Sequence, residues 1–339
     1  MCRLYDINKP NELNAMNMKI VLIGNFPVSI SLYQYLQQNK YLQAVCTQKT
    51  GTEQSNQDYL DLIQKEKIET FVVTSQNISN DFKDWLKEKS PDLVMVCGFS
   101  LKIPVDILNI PNYGFLNIHF GKLPENRGPD PLFWSIKKGD KNTAITIHKM
   151  DENWDSGKIL TQQEVPIIPG ETLGMINSKM SFMLGQLTEK VLKLVEAPKN
   201  YYIQSSSNSN TYNKRPDIVE TTIIWEEQTA DEVENLVNAC NPKYGGATTY
   251  YQGSVIKIVE VSPVDAQVPL LGKTPGEIIH AHPQEGLYVC CKYGKLIKLN
   301  IISSDAGILT GTKYVHLGIR QGHLFTTTAK ATPKKHIQI

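Results

Sequence analysis

Apolar and amphipathic segments alternate through the first half of the chain. Met18–Gly24 is apolar at nearly every position, which predicts a strand buried on both faces. Further strands are predicted at 42–46, 69–73, 92–97 and 114–118, and helices at 30–36, 56–65 and 81–87. Strands that alternate with helices at this spacing indicate βαβ units. The pattern therefore predicts an α/β domain with a mostly parallel sheet.

The pattern changes after a long amphipathic segment at 171–195, which predicts a helix. Strand-like segments at 144–147 and 159–165 precede it, and a polar stretch, Ser205–Asn210, follows it as a linker. Beyond the linker one helix is predicted at 230–238, and glycine-rich turns separate short strands at 247–251, 255–261, 286–291 and 296–302. Short strands with such turns are typical of a small β-barrel or sandwich.

These changes divide the chain into five predicted parts. They are an N-terminal extension, a first domain, a linker, a second domain and a tail, at 1–17, 18–200, 201–214, 215–325 and 326–339.

Charge and cysteine content narrow the function classes. Lysine and arginine total 35 and aspartate and glutamate 34, so the net charge of +1 argues against general coating of a nucleic acid. The six cysteines are scattered without a C-x-x-C pair, which fits a reducing compartment. No apolar run approaches the ~18 residues of a membrane span, and we expect a cytoplasmic protein without membrane partners.

Two signals for bound groups are incomplete. Gly24 stands alone after the first strand, so the G-x-G-x-x-G loop that holds a dinucleotide is missing. His280 and His282 lie two apart, but the neighbouring sequence offers no evident third ligand. We therefore expect neither a dinucleotide cofactor nor a metal.

The segment from Asn117 to Gly157 carries the candidate chemistry. Asn117 and His119 are two apart at the end of a predicted strand, so both side chains face one side of the sheet. A later loop can bring Asp155 back against His119. Asn117 can donate a hydrogen bond to a developing oxyanion, His119 can donate or shuttle a proton, and Asp155 can orient the imidazole or help to accept a proton through water. This set suits acyl transfer by direct attack of the acceptor.

Each residue also has a purely structural interpretation. Asn117 can cap a turn, His119 can be a buried and hydrogen-bonded histidine, and Asp155-Ser156-Gly157 is a good turn sequence. The combination favours the catalytic hypothesis.

The combined pattern resembles the signature of folate-dependent formyltransferases. It reads Asn117-x-His119, then Leu123-Pro124-x-x-Arg127-Gly128-x-x-Pro131, then Asp155-x-Gly157. The second half, with Arg215-Pro216, Trp225, Asn241-Pro242 and Gly245-Gly246-Ala247, resembles the C-terminal barrel of methionyl-tRNA formyltransferases. The resemblance implies a Rossmann-like catalytic domain followed by an OB-like barrel, 10-formyltetrahydrofolate as donor, an amine as acceptor and no metal. It assigns the catalytic roles to Asn117, His119 and Asp155.

The resemblance also implies where the folate binds. Its pterin is expected between the turn Cys97-Gly98-Phe99-Ser100-Leu101 and the loop that begins with Met150 and Asp151. Leu123, Pro124, Arg127 and Gly128 are assigned to the architecture of the active-site loop first and to substrate contact second.

The acceptor is the least determined element. Methionyl-tRNA formyltransferases have a long basic insertion after the second strand, whereas segment 46–58 of this chain is short, nearly neutral and without arginine. The family usually has serine two residues after the histidine, where this chain has Gly121. Phe133 and Trp134 either line an acceptor cleft or form the buried face of a helix.

We therefore expect a small or carrier-bound amine, such as an amino sugar or aminoacyl group, as acceptor, with tRNA possible but disfavoured. The alternatives are a genuine methionyl-tRNA formyltransferase that acts in translation initiation, and a non-catalytic folate- or RNA-binding module.

Overall fold

The computed structural model of the chain describes residues 18–25, 27–48, 61, 63–196, 212–265, 270 and 272–329. They form two compact units. Unit 1 comprises 1–118, 147–160 and 183–202, and unit 2 comprises 119–146, 161–182 and 203–339, within the described residues. The predicted extension 1–17, much of the predicted linker and helix 56–65, and the end of the tail lie outside the described residues. The predicted domain boundaries remain a prediction.

The first sheet has seven strands in the order β3-β2-β1-β4-β5-β6-β7, and β1 to β5 pair in parallel. The strands are β1 Ile20–Gly24, β2 Leu42–Gln48, β3 Glu69–Val73, β4 Leu93–Cys97, β5 Phe115–His119, β6 Asn142–Lys149 and β7 Ile159–Pro166. The helices between and after them are α1 Ile30–Gln38, α2 Asp81–Lys89, α3 Val105–Leu108, α4 Pro131–Lys138 and α5 Leu173–Glu196. The α/β class and the mostly parallel Rossmann-like sheet are thus confirmed.

Burial explains why these segments form a parallel sheet. Every residue of β1 and of β4 is buried, because helices cover both faces of a parallel sheet. Phe82 and Leu86, one turn apart on α2, are fully buried in the cluster that packs on β1, β2 and β4. Each such side chain contributes roughly 1.5–3 kcal/mol of burial free energy. The strand order changes direction between β1 and β4, and open α/β sheets bind ligands at such switch points.

The second sheet is antiparallel and lies in unit 2. Its order is β10-β11-β12-β9-β8-β14, with β13 paired to β12. The strands are β8 Ala247–Tyr251, β9 Ser254–Val264, β10 Ile278–His282, β11 Gly286–Cys290, β12 Leu296–Ser304, β13 Gly307–Thr310 and β14 Phe325–Thr326. A 3-10 helix, Lys292–Gly294, and the helices α6 Ala230–Cys240 and α7 Gly311–Val315 complete the unit. This architecture is consistent with an OB-like barrel.

Two local features anchor the second sheet. Helix α6 begins with a capping box, in which the Thr229 hydroxyl accepts from the Glu232 N–H and the Glu232 carboxylate accepts from the Thr229 N–H. Trp225 is fully buried, stacks on Phe325 and donates to the Thr249 hydroxyl over 2.9 Å. A buried indole with a satisfied N–H stabilises the core without an unpaired polar group. Among the described residues, every helix is too short or too polar to cross a membrane.

Candidate functional site

Three polar side chains of unit 1 meet beside β5. Asn117 lies in that strand, His148 near the end of β6, and Asp155 in the loop before β7. The Asn117 amide nitrogen is 3.1 Å from His148 Nε2 and 3.4 Å from Asp155 Oδ1. His148 Nε2 lies 3.5 Å from the same carboxylate oxygen. We call these residues the Asn–His–Asp cluster; it brings together two of the three catalytic residues predicted from the sequence.

Hydrogen bonding assigns the tautomer of His148. Its Nδ1 lies 3.1 Å from the Lys149 carbonyl oxygen, which can only accept. Nδ1 therefore carries the proton, and Nε2 accepts from the Asn117 amide. The bond from Asn117 to Asp155 is longer and hence weaker. Asn117 can therefore redirect this weaker hydrogen bond to another oxygen at a lower cost in free energy than the bond to His148.

The histidine and the carboxylate of the cluster are shielded from water, whereas Asn117 is half-buried. The His148 and Asp155 side chains are 2% and 10% exposed. Interactions between charged and polar groups are stronger at such sites than in bulk water. A hydrogen bond from Asn117 to an oxygen that develops negative charge is therefore stronger here than in bulk water.

Backbone geometry of the loop positions Asp155. Its φ of 51° is left-handed, a conformation that aspartate adopts more readily than most residues. Asp151 Oδ1 accepts from the Asn153 N–H and the Ser156 hydroxyl and so closes the loop on itself. A Cβ at Gly157 would lie 1.7 Å from the Lys149 carbonyl oxygen. Only glycine lets the loop pass the end of β6, which is the physical reason for the Asp-x-Gly spacing.

His119 lies in unit 2, where the loop after β5 holds its ring. The side chain is buried, and Nε2 is 2.7 Å from the Asn126 carbonyl oxygen, so Nε2 is the donor. The Asn126 amide in turn donates to the Ser135 hydroxyl over 2.9 Å. A Cβ at Gly121 would lie 2.9 Å from His119 Nε2. A side chain at Gly121 would therefore displace this ring or Pro131, whose Cβ is 2.6 Å from the same Cβ position.

The remaining loop residues of the predicted site make contacts within unit 2. Leu123 is buried before a cis peptide bond to Pro124, and its carbonyl oxygen accepts from Gln162. Arg127 and Gly128 lie against Asn213: the Arg127 carbonyl oxygen accepts from the Asn213 N–H, and a Cβ at Gly128 would lie 2.2 Å from the Asn213 carbonyl oxygen. The Arg127 Nε atom is buried without a hydrogen-bond partner among the described residues.

Phe133 and Trp134 lie on α4 and differ in exposure. Phe133 is fully buried and meets the ring of Tyr244 edge to face at 5.3 Å, as expected for the buried face of a helix. Trp134 is partly exposed and donates to the Lys214 carbonyl oxygen over 3.0 Å. These contacts favour a structural role for Phe133.

The predicted folate-binding turn follows β4 at the switch point of the sheet. Gly98 has a φ of 75°, and its carbonyl oxygen accepts from the Asn25 amide over 2.6 Å. Ser100 donates from its N–H and its hydroxyl to Gln48 Oε1. Hydrogen bonds thus join the turn to residues that follow β1 and end β2.

The apolar members of the predicted folate site pack inwards. Phe99, Leu101 and Met150 pack against the buried cluster on β1, β2 and β4. Burial raises the pKa of the Cys97 thiol to about 12, so Cys97 stays neutral and is not a nucleophile.

Sequence reasoning missed three residues of this region. His148 is next to last in β6, just before the Met150–Asp155 loop. A polar side chain at such a position can contact the loop, which is the signal that could have identified it. Asn25 and Gln48 follow β1 and end β2, at the carboxyl edge where such sheets bind ligands. His280 and His282 also have a carboxylate beside them that the sequence pattern did not indicate, because Glu285 Oε2 lies 2.6 Å from His280 Nε2.

Comparison with known proteins connects this geometry to a family. The sequence profile described as formyl transferase matches residues 18–192, more than half of the chain, and the profile described as formyl transferase, C-terminal domain, matches 219–315. The chain belongs to the formyl transferase family. The predicted family is confirmed, and the protein is a formyl-transfer enzyme.

Curated relatives of this formyltransferase are named methionyl-tRNA formyltransferase. That of Acetivibrio thermocellus is 28% identical over 88% of this chain and 96% of its own length. That of Halothermothrix orenii is 32% identical over 74% of this chain and 79% of its own length. Because these relatives are named for tRNA, the expectation that tRNA is disfavoured loses support.

A solved structure gives an independent comparison of the fold. WlaRD, described as a sugar 3N-formyl transferase in the presence of dTDP and 5-N-formyl-THF, is 16% identical. The match covers 83% of this formyltransferase and 97% of WlaRD, with a TM-score of 0.60. At this identity the likeness concerns the fold alone.

Proposed function

We propose that this formyltransferase moves a formyl group from 10-formyltetrahydrofolate to a primary amine by direct attack, with Asn117, His119 and Asp155 as catalytic residues. The observation that carries the proposal is the Asn–His–Asp cluster, in which a buried carboxylate and an amide donor meet at 3.4 Å in a formyl-transfer enzyme. His119 is included among the catalytic residues because of its position in the sequence pattern.

The proposed step needs a hydrogen-bond donor and a proton acceptor. The amine nitrogen forms a bond to the formyl carbon while the carbonyl electrons move to the oxygen. Asn117 donates its amide hydrogen to that oxygen, and His148 keeps the amide in position by accepting the other hydrogen. His119 donates to the oxygen or carries a proton. Asp155 accepts the proton of the amine through water. The carbonyl re-forms as the bond to the folate nitrogen breaks, and that nitrogen takes up the same proton from Asp155.

The residues of unit 1 fit a folate at the sheet edge. A pterin presents a planar edge of donors and acceptors, and the turn at Gly98 offers backbone groups beside the Asn25 and Gln48 amides. Among the residues that the structure describes, no heavy atom beyond the chain neighbours lies within 4 Å of a Cβ built at Gly98. The bound folate would supply the formyl group. The presence of 5-N-formyl-THF with WlaRD supports a folate donor.

For the acceptor, we infer a small or carrier-bound amine. The short, nearly neutral segment 46–58 and the net charge of +1 favour it, because tRNA binding depends on basic residues. Methionyl-tRNA is the second candidate, favoured by the relatives that match both halves of the chain.

One assay series tests donor and acceptor together. The full chain is incubated with 10-formyltetrahydrofolate and, separately, with a nucleotide-linked amino sugar, an aminoacyl carrier protein and charged initiator tRNA. Tetrahydrofolate release and the formylated product are both measured. Turnover with an amino sugar or carrier and little with tRNA supports the proposal. Efficient formylation of tRNA that declines steeply with salt would replace the acceptor assignment by the tRNA one.

The same assay series distinguishes an enzyme from a non-catalytic binding module. A non-catalytic module would bind folate analogues and release no tetrahydrofolate with any acceptor. That result would remove the catalytic proposal and leave the fold.

A further inference from the structure

We propose that the hairpin formed by β10 and β11 in unit 2 binds a divalent transition-metal ion, with zinc as the ion to test. Three side chains carry the inference: His280 and His282 of β10, and Glu285 of the turn between the strands. We call them the hairpin cluster. It has no part in the proposed formyl transfer.

Strand geometry brings the two imidazoles together. His280 and His282 are two residues apart in β10, so their side chains lie on the same face. Their rings stack with centroids 5.8 Å apart and an interplanar angle of 21°. A histidine pair spaced in this way on a strand presents two nitrogen ligands to one point above the sheet.

The turn supplies the third ligand. β10 and β11 pair with His282 opposite Gly286 and His280 opposite Tyr288, which brings the turn residue Glu285 back over the strand. Glu285 Oε2 is 2.6 Å from His280 Nε2. One ligand atom from each of the three side chains lies within 4.8 Å of the others. Ligands around a tetrahedral ion are about 3.3 Å apart, so small side-chain rotations complete the site.

The ligand types decide which ion fits. Two imidazoles and one carboxylate suit zinc and its neighbours in the first transition series, whereas magnesium and calcium prefer oxygen ligands. Three protein ligands leave a fourth position for water or another ligand. The His280 and Glu285 side chains are 42% and 62% exposed, so an ion can enter directly from solvent.

Neighbouring contacts restrict the orientations of both histidine rings. The ring of Tyr288 meets the His280 ring at 5.6 Å and 67°, and Lys298 lies over the Tyr288 ring. The Gln284 N–H points to His282 Nδ1 at 3.4 Å. Such partners orient ligands before an ion binds and so lower the cost of binding.

The test is a zinc titration of the untagged full chain after removal of metals with a chelator. Calorimetry and native mass spectrometry are expected to show one zinc ion per chain. His280→Gln and Glu285→Gln are each expected to weaken this binding by more than about tenfold, since even the partners of ligands contribute that much. His316→Gln is the matched control, because it removes an exposed histidine outside the hairpin cluster. Magnesium is expected to give no binding.

Thermal unfolding gives a second readout. Zinc is expected to raise the unfolding temperature of the unmodified chain more than that of His280→Gln at the same zinc concentration, because an ion that binds the folded state stabilises it in proportion to its affinity. Circular dichroism checks that the variants are folded. Absence of zinc binding in the unmodified chain, or equal affinity in folded His280→Gln, would overturn the proposal.

Discussion

Two histidine–carboxylate groups in this molecule differ in burial and in what holds them. In the Asn–His–Asp cluster, His148 and Asp155 are almost completely buried and share the Asn117 amide. In the hairpin cluster, His280 and Glu285 are exposed and contact each other directly. A buried group is fixed in place and acts through its local field, whereas an exposed group can admit an ion from solvent. The same residue types therefore carry the proposed catalysis in unit 1 and the proposed metal binding in unit 2.

The largest expected effect is that of Asp155→Asn. Asparagine tolerates the left-handed backbone at this position but cannot accept the proton of the amine. We expect turnover to fall by about 10²- to 10⁴-fold, the usual contribution of a general base. Steady-state release of tetrahydrofolate measures this fall in turnover. Glu152→Gln, on the exposed surface of the same loop, is the control and should retain full activity.

Asn117→Ala tests the amide donor. Loss of one donor to a developing oxyanion lowers turnover by roughly 10²- to 10³-fold, or about 2.7 to 4 kcal/mol of transition-state stabilisation. The exposed Asn142, at the start of β6, gives a matched Asn→Ala control. Equal rates in the unmodified chain and in Asn117→Ala would remove Asn117 from the mechanism.

His148→Leu tests whether His148 positions the amide. Leucine keeps the approximate volume but leaves the Asn117 amide without its 3.1 Å acceptor. The free energy of unfolding should fall by about 0.5–1.5 kcal/mol, the net contribution of a typical intramolecular hydrogen bond, because Asn117 is half-buried. Urea denaturation measures it, and the KM for the amine should change less than turnover does. Unaltered stability together with unaltered turnover would show that His148 is dispensable.

The smallest effect is expected at the hairpin cluster. Without metal, His280→Gln should change the free energy of unfolding by less than about 0.5 kcal/mol, as is usual for exposed side chains. The same denaturation experiment applies, in the presence of a chelator. A loss as large as that of His148→Leu would mean that the two clusters do not differ in the way described.

Local pattern was sufficient for most of the first sheet. Strand 69–73 of the first sheet and strand 247–251 of the second have the predicted bounds. Both consist largely of β-branched and aromatic residues, which favour strands. Strand β10 was not predicted because its two histidines interrupt the apolar pattern, although β11, the strand with which it pairs, was predicted and follows after a short turn.

The candidate site likewise contains features that local sequence pattern predicts and features that it does not. The places of Asn117 and Asp155 in the fold follow from local features, a strand end and an Asp-x-Gly turn, while their catalytic roles stay a prediction. The contacts of His148 and Glu285 do not follow from local features, because their partners are fixed by strand register and by the path of a loop. The contact of Gly128 with Asn213, 85 positions later in the chain (213 − 128), is equally invisible to local pattern.

The central claim is that Asn117 and Asp155 act as one unit in formyl transfer, and a double-mutant cycle tests it most directly. Turnover of 10-formyltetrahydrofolate with an accepted amine is measured for Asn117→Ala, Asp155→Asn and the double variant. Residues that act together are strongly non-additive, so the double variant should be about as slow as the slower single variant. A double variant whose loss equals the product of two separate losses, or single variants that retain full turnover, would contradict the account.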